Sequence, residues 1–198
     1  MTADGDQTKA RLLTEARDLY LEEGFAHFSL REVARRAGVS AAAVYRHYDG
    51  KEALLGQVCA QGLQIFYSYL VRALSEATPR ARLAGSSTQY LRFGLENPRD
   101  YRVVFMGAAQ DFQKVAPRSE GKTPEPTFQF LVDRVRECMQ AGVLREGDAE
   151  EVAAVIWAHV HGLVSLRLSG HLTRAGTDAQ FARFYERATD QLVAGLAR

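Results

Sequence analysis

Five cationic side chains, Arg31, Arg35, Arg36, Arg46 and Lys51, fall between residues 28 and 51 against two acidic ones, Glu32 and Asp49. Ser29, Ser40, Tyr45, His47 and Tyr48 are interleaved with them. Guanidinium and ammonium groups mixed with short hydroxyls and phenols are the equipment for holding phosphates. They are not equipment for bond-making chemistry. The sequence holds no Ser-His-Asp or Cys-His arrangement, phosphate-binding loop or dinucleotide fingerprint, so no enzyme activity and no cofactor are expected. His159 and His161 are no metal pair: residues two apart on a helix point ~200° apart. Cys59 and Cys138 are too few for a disulfide scaffold or a four-cysteine zinc site. No catalytic residue and no metal ligand is expected.

The whole chain has 198 residues and a net charge of only +1, which hides this patch. A polyanion meets a local patch rather than a total, so the distribution is the relevant quantity. Residues 1–27 carry six acidic side chains and three basic ones, and the chain beyond residue 51 is nearly balanced. At 46% hydrophobic and 25% charged, the composition is that of a folded globular protein. The polar N-terminus and the lack of an uninterrupted apolar run of ~18–20 residues point to a cytoplasmic protein without a membrane partner.

The elements that position these groups read as helices almost throughout, with no sustained period-two alternation. Leu12, Leu13, Ala16, Leu19 and Tyr20 put one apolar face on a helix over about 7–23, closed by Gly24. Ser29, with Glu32 in capping-box spacing, predicts a short helix ending near Ala37. Gly38-Val39-Ser40 is a turn, and Ser40 caps a second short helix over 41–47. Two short helices about such a turn make a helix-turn-helix, over about 29–48. Val33, Ala34, Val39 and Val44 are its apolar hinge. Longer helices are expected over 51–77, 82–96, 99–110, 127–141, 149–169 and 179–197, the last two capped by Asp148 and Asp178. Residues 114–126, with three prolines, read as a loop. The fold class is all-α with about nine helices. Residues 1–50 are expected to form a helix-turn-helix DNA-binding domain and residues 51–198 a second helical domain, for which the resemblance described next implies ligand binding and dimerisation.

Residues 9–55 resemble the DNA-binding domain of the TetR (tetracycline-repressor-type) family of regulators. The resemblance is carried by Leu12-Leu13, Ala16, Gly24-Phe25, Ser29-Leu30-Arg31-Glu32-Val33-Ala34, Ala37-Gly38-Val39-Ser40, Val44-Tyr45-Arg46-His47-Tyr48 and Lys51-Glu52-Ala53-Leu54-Leu55. Ala141-Gly142-Val143-Leu144, Gly147-Asp148, Trp157 and His161-Gly162-Leu163 resemble the C-terminal domain type named for its Trp/His-Gly signature. The resemblance implies that Ser29 touches phosphate, that Ala41, Ala42, Ala43, Val44 and Tyr45 face base edges, and that Tyr45, His47 and Lys51 grip phosphates. Arg31, Ser40, Arg46 and Tyr48 complete the expected DNA-binding set. Where the family has glycine and a hydroxyl residue, this chain has Ala42-Ala43, whose methyl groups suit thymine methyls. By the residues alone, Tyr45 and Tyr48 read as core aromatics; the motif turns Tyr45 to phosphate and leaves Tyr48 open between the two, and Arg35 and Arg36 are equally a solvated face.

The family also implies a homodimer on a pseudo-palindromic operator, the last two helices packing on their copies. The interface residues expected are Ala158, Gly162, Ser165, Phe181, Tyr185, Ala188 and Leu192. A repressor released by a small-molecule effector is the expected mechanism. Tyr90, Phe93, Phe105, Trp157 and His161 are the candidate ligand contacts, and without a dense basic cluster there the effector is apolar or aromatic. The competing readings are an activator of the same fold, or a helical ligand-binding protein or enzyme without operator binding.

Overall fold

The computed structural model of the chain describes residues 3–107, 126–172 and 176–197. Among these residues there are nine α-helices and no strand. They are α1 (Ala3–His27), α2 (Leu30–Arg36), α3 (Ala41–Tyr45), α4 (Lys51–Leu70), α5 (Pro79–Glu96), α6 (Pro98–Phe105), α7 (Pro126–Gln140), α8 (Ala149–Leu168) and α9 (Asp178–Leu196). The proline-rich segment expected to be a loop lies outside the described residues up to position 125.

Most helix ends follow the punctuation in the sequence. α1 breaks at Gly24, whose φ of 70° is left-handed. Asp148 caps α8, its carboxylate accepting from the Glu150 and Glu151 amides at 2.8 and 3.3 Å. Three ends differ. Ser29 stands at the N-cap of α2 but its side chain makes no capping bond, and the Glu32 carboxylate turns to Arg35 and Arg36 instead of reaching back to the Ser29 amide. Thr177, not Asp178, caps α9, in a capping box with Gln180. The Asp178 carboxylate is taken by Arg167 at 2.8 Å. The helix expected to run to residue 77 stops at Leu70 and tightens into a 3-10 turn over Val71–Ser75. Thr78 then caps α5 with Pro79 in its first turn.

Packing divides the described residues into two units, 3–64 with 99–107, and 65–98 with 126–197. In the first, Leu12, Ala16 and Leu19 of α1 meet Phe25, Val33, Val44, Leu54, Leu55, Val58 and Val103 in one buried core. The first turns of α4 belong to this core, so the N-terminal unit extends past residue 50. Arg17 pairs with Asp100 at 3.1 Å and Arg99 with Asp18 at 2.7 Å, tying α6 to α1. In the second unit, Leu83, Val132, Val135, Cys138, Leu144, Ala153, Ile156 and Val193 form the core of α5, α7, α8 and α9. A separate aromatic cluster joins Phe66, Tyr69, Tyr90 and Phe93.

α8 is long and apolar enough, by length and composition alone, to cross a membrane, and little of it is buried within the subunit. Ala153, Ile156, Val160 and Val164 are buried, while Ala154, Val155, Ala158 and Leu166 leave an exposed apolar surface on this helix.

Gly38 links α2 to α3 at φ 67°, and a Cβ there would meet no atom within 4 Å. Gly38→Ala therefore isolates the left-handed backbone penalty. It is expected to destabilise the fold by about 1 kcal/mol, read as a lower urea midpoint at unchanged slope.

Candidate nucleic-acid interface

The two short helices hold each other through the residues between them. The Ala37 amide closes α2 on Val33 O at 2.9 Å, and the Val39 amide returns to Ala34 O at 3.0 Å. Ser40 Oγ accepts from the Ala43 amide at 3.2 Å and starts α3. Val33, Ala34 and Val44 are buried and Val39 half-buried, which forms the apolar hinge.

This packing decides which α3 side chains reach solvent. Ala42, Tyr45, Arg46 and His47 are exposed and Ala41 is half-buried, with Tyr45 57% exposed. Ala43 and Tyr48 were expected to face DNA, and both are buried instead. A helix seated on a core must turn part of every turn inward, and Ala43 takes that side with Val44. For Tyr48 the core-aromatic alternative holds. Its hydroxyl is buried without a partner, and burial pushes the phenol above its ordinary pKa.

The cations are not equivalent. Glu32 accepts from Arg35 at 2.6 and 2.8 Å and from Arg36 at 2.9 Å. Arg36 also reaches Glu22 at 2.8 Å. Hydrogen bonds from Arg35 and Arg36, reinforced by their charge, hold the Glu32 carboxyl at about 2. Lys51 Nζ donates to Phe25 O at 3.2 Å and lies 4.2 Å from the centre of the Phe25 ring. Arg31 and Arg46 are exposed and carry no ion pair among the described residues. The Ser29 hydroxyl, exposed and released from capping, lies two residues from Arg31. The exposed polar groups of the window left without an internal ion pair or cap are thus Ser29, Arg31, Tyr45, Arg46 and His47, with Lys51 held against Phe25.

The candidate ligand residues come together in part. Tyr90 Oη lies 3.2 Å from His161 Nδ1, and Trp157 stacks near His161 at 5.9 Å between ring centres. Phe93 is fully buried, 5.0 Å from Phe66. Burial lowers the His161 pKa and favours its neutral form. Phe105 belongs to the other unit, beside Tyr101.

The expected interface residues divide more sharply. Ala158 is exposed, and Gly162, Ser165, Ala188 and Leu192 are half-buried. Phe181 and Tyr185 present no surface, with 0% and 1% exposure. They face inward, where Tyr185 Oη donates to Ser87 O at 2.8 Å. These two residues lie on the internal face of α9, not an outer one. Val155 and Leu166 on α8 are 48% and 43% exposed without having been singled out, and Phe184, on the apolar stripe of the last helix, is 38% exposed. On α8, Val155, Ala158, Gly162 and Leu166 recur at helical spacing, and that recurrence was the available signal. Among the described residues, no cluster of three His, Cys, Asp or Glu side chains could hold a metal.

A short exposed helix seated by a Gly turn in a cationic window defines a helix-turn-helix DNA-binding transcription regulator. Residues 12–58 match the model for bacterial regulatory proteins of the tetR family, and residues 83–192 match a tetracyclin repressor-like C-terminal domain. UidR of Escherichia coli, an HTH-type transcriptional regulator, is 30% identical over 155 residues, 72% of this chain and 71% of its own. YvkB of Bacillus subtilis, an uncharacterized HTH-type transcriptional regulator, is 24% identical over 96% of this chain and 97% of its own. The crystal structure of a TetR family transcription regulator from Marinobacter aquaeolei is similar with a TM-score of 0.75. It is 22% identical, covering 100% of this chain and 99% of that one. This chain belongs to the TetR family.

Glu32→Gln removes the charge that occupies Arg35 and Arg36. Nonspecific duplex binding is expected to tighten, and the slope of log affinity against log salt to steepen by about one to two. Fluorescence anisotropy across a salt series reads both. In the parent, the lowered Glu32 pKa means its pairing stabilises the fold above the unfolded carboxyl value of 4.5. That contribution is lost as pH falls through about 2. The variant should lack this dependence in acid unfolding.

Proposed function

We propose that the chain is a homodimeric, cytoplasmic repressor that leaves a pseudo-palindromic operator when a small apolar or aromatic molecule binds its C-terminal unit. The observation that carries the reading is the uncovered apolar face of α8 and α9, on a chain that also exposes a recognition helix. Val155, Leu166 and Phe184 are the large apolar side chains exposed there. Ala154 and Ala158 are exposed beside them, and a Cβ at Gly162 would meet nothing within 4 Å. Contiguous apolar surface of this kind marks an interaction site. A second copy is the occupant that also explains function, since a two-fold dimer presents two recognition helices to two half-sites.

On the DNA, Tyr45, Arg46, His47, Arg31 and Ser29 would hold phosphates while Ala41 and Ala42 meet base edges. Lys51 would exchange its Phe25 carbonyl for phosphate. The effector reading rests on Tyr90, His161 and Trp157, where a hydroxyl and a neutral imidazole lie among aromatic rings.

Selection from a random duplex pool tests the operator reading. A motif with two-fold symmetry is expected, and enrichment of none, or of an asymmetric one, would sink it. Ala158→Glu is expected to give a folded monomer by sedimentation, with operator affinity reduced at least about tenfold. A charge there is solvated in one subunit but buried unpaired in the dimer. A folded variant that stays dimeric would relocate the interface. For the effector, ligand hits from a thermal-shift screen should weaken operator binding, and the operator should weaken theirs by the same factor. A promoter reporter that rises on effector addition supports repression, and one that falls supports an activator.

A further inference from the structure

α5 and α9 leave a groove between them with a cavity volume of about 240 Å³. Its floor is Leu83, Ser87, Tyr185, Thr189 and Val193, and its rim is Arg80, Ala84, Thr88, Glu186 and Asp190. The aromatic residues of the proposed effector site do not line it. We infer that this groove is a second small-molecule site, and that it takes a short aliphatic ammonium compound such as a diamine.

Three observations converge. Thr189 lines the groove, and its hydroxyl is buried with no hydrogen-bond partner. An unpaired buried hydroxyl costs roughly 1–3 kcal/mol, so a ligand atom that bonds it is favoured. Glu186 and Asp190 flank Thr189 four residues apart, on one side of α9. Neither forms an ion pair among the described residues, and neither does Arg80. Two carboxylates against one guanidinium leave the rim negative, which selects a cation over an anion. The floor between these polar groups is largely hydrocarbon and suits a methylene chain. The volume lies just below the ~300–1,000 Å³ of drug-sized pockets, so the ligand is small.

The groove is also independent of the proposed dimer face. Glu186 and Asp190 point ~200° around α9 from Phe184 and Ala188, so a second copy on that face would leave the groove open.

Isothermal titration of the full chain, without DNA, with 1,4-diaminobutane tests the inference apart from operator binding. Saturable binding of one molecule per chain is expected. Glu186→Gln and Asp190→Asn, both at exposed positions, should each weaken it at least about tenfold. Thr189→Val should weaken it several-fold while leaving the melting temperature unchanged or raised, because the lost hydroxyl had no partner. Butane-1,4-diol, the uncharged counterpart, should not bind measurably. Absence of saturation up to ~10 mM would overturn the proposal. So would affinity unaltered by the carboxylate substitutions, or capture of succinate in its place through Arg80. A lowered melting temperature for Thr189→Val would show that the hydroxyl is satisfied within the fold, and would likewise overturn the proposed site.

Discussion

A five-residue helix cannot hold itself in water, because isolated helices need about a dozen residues or more to be even marginally stable. α3 exists because Val44 is sunk into a core built by α1, α2 and α4. Everything the N-terminal unit does with DNA depends on that one apolar seat. It fixes the rotation of α3, and the rotation decides that Tyr45 and Ala42 point out while Ala43 points in. Gly38 and Ser40 contribute direction rather than strength. One supplies a left-handed corner and the other satisfies an amide that α3 would leave open.

The same unit restrains its own charge. Of five cations in the window, two are committed to Glu32 and a third is held by the Phe25 carbonyl and ring. An unrestrained basic patch would bind any duplex, since phosphate contacts carry no sequence information. Pairing Arg35 and Arg36 internally lowers that background and leaves Arg31 and Arg46 beside the recognition helix. In the proposed reading, specificity then falls to the alanine methyls of α3, where shape and thymine contact would carry the discrimination.

The second unit handles apolar surface differently. α7 and α9 bury one face of α8, but Val155 and Leu166 on its other side remain outside. α9 divides in the same way. Phe181 and Tyr185 lock it inward, the latter through Ser87 O, while Phe184 stays out. An amphipathic stripe tells which residues share a face. It does not tell which of two apolar faces meets the subunit's own core.

Local chemistry made the helices legible, since periodicity, Gly24, Gly38, Gly142, Asp148 and Ser40 act within a few residues of themselves. The ordered string from Leu12 to Leu55 made the helix-turn-helix and the family legible for the same reason. Competition between partners was decided only in three dimensions. Glu32 had the Ser29 amide and two guanidiniums within reach, and the charged partners won because charge-assisted bonds are the stronger. Asp178 yielded its capping place to Thr177 when Arg167, a turn of chain away in space, took its carboxylate. The inward turn of Ala43, Tyr48, Phe181 and Tyr185 follows from cores assembled by residues distant in sequence, and no local pattern records which side of a short helix such a core will claim.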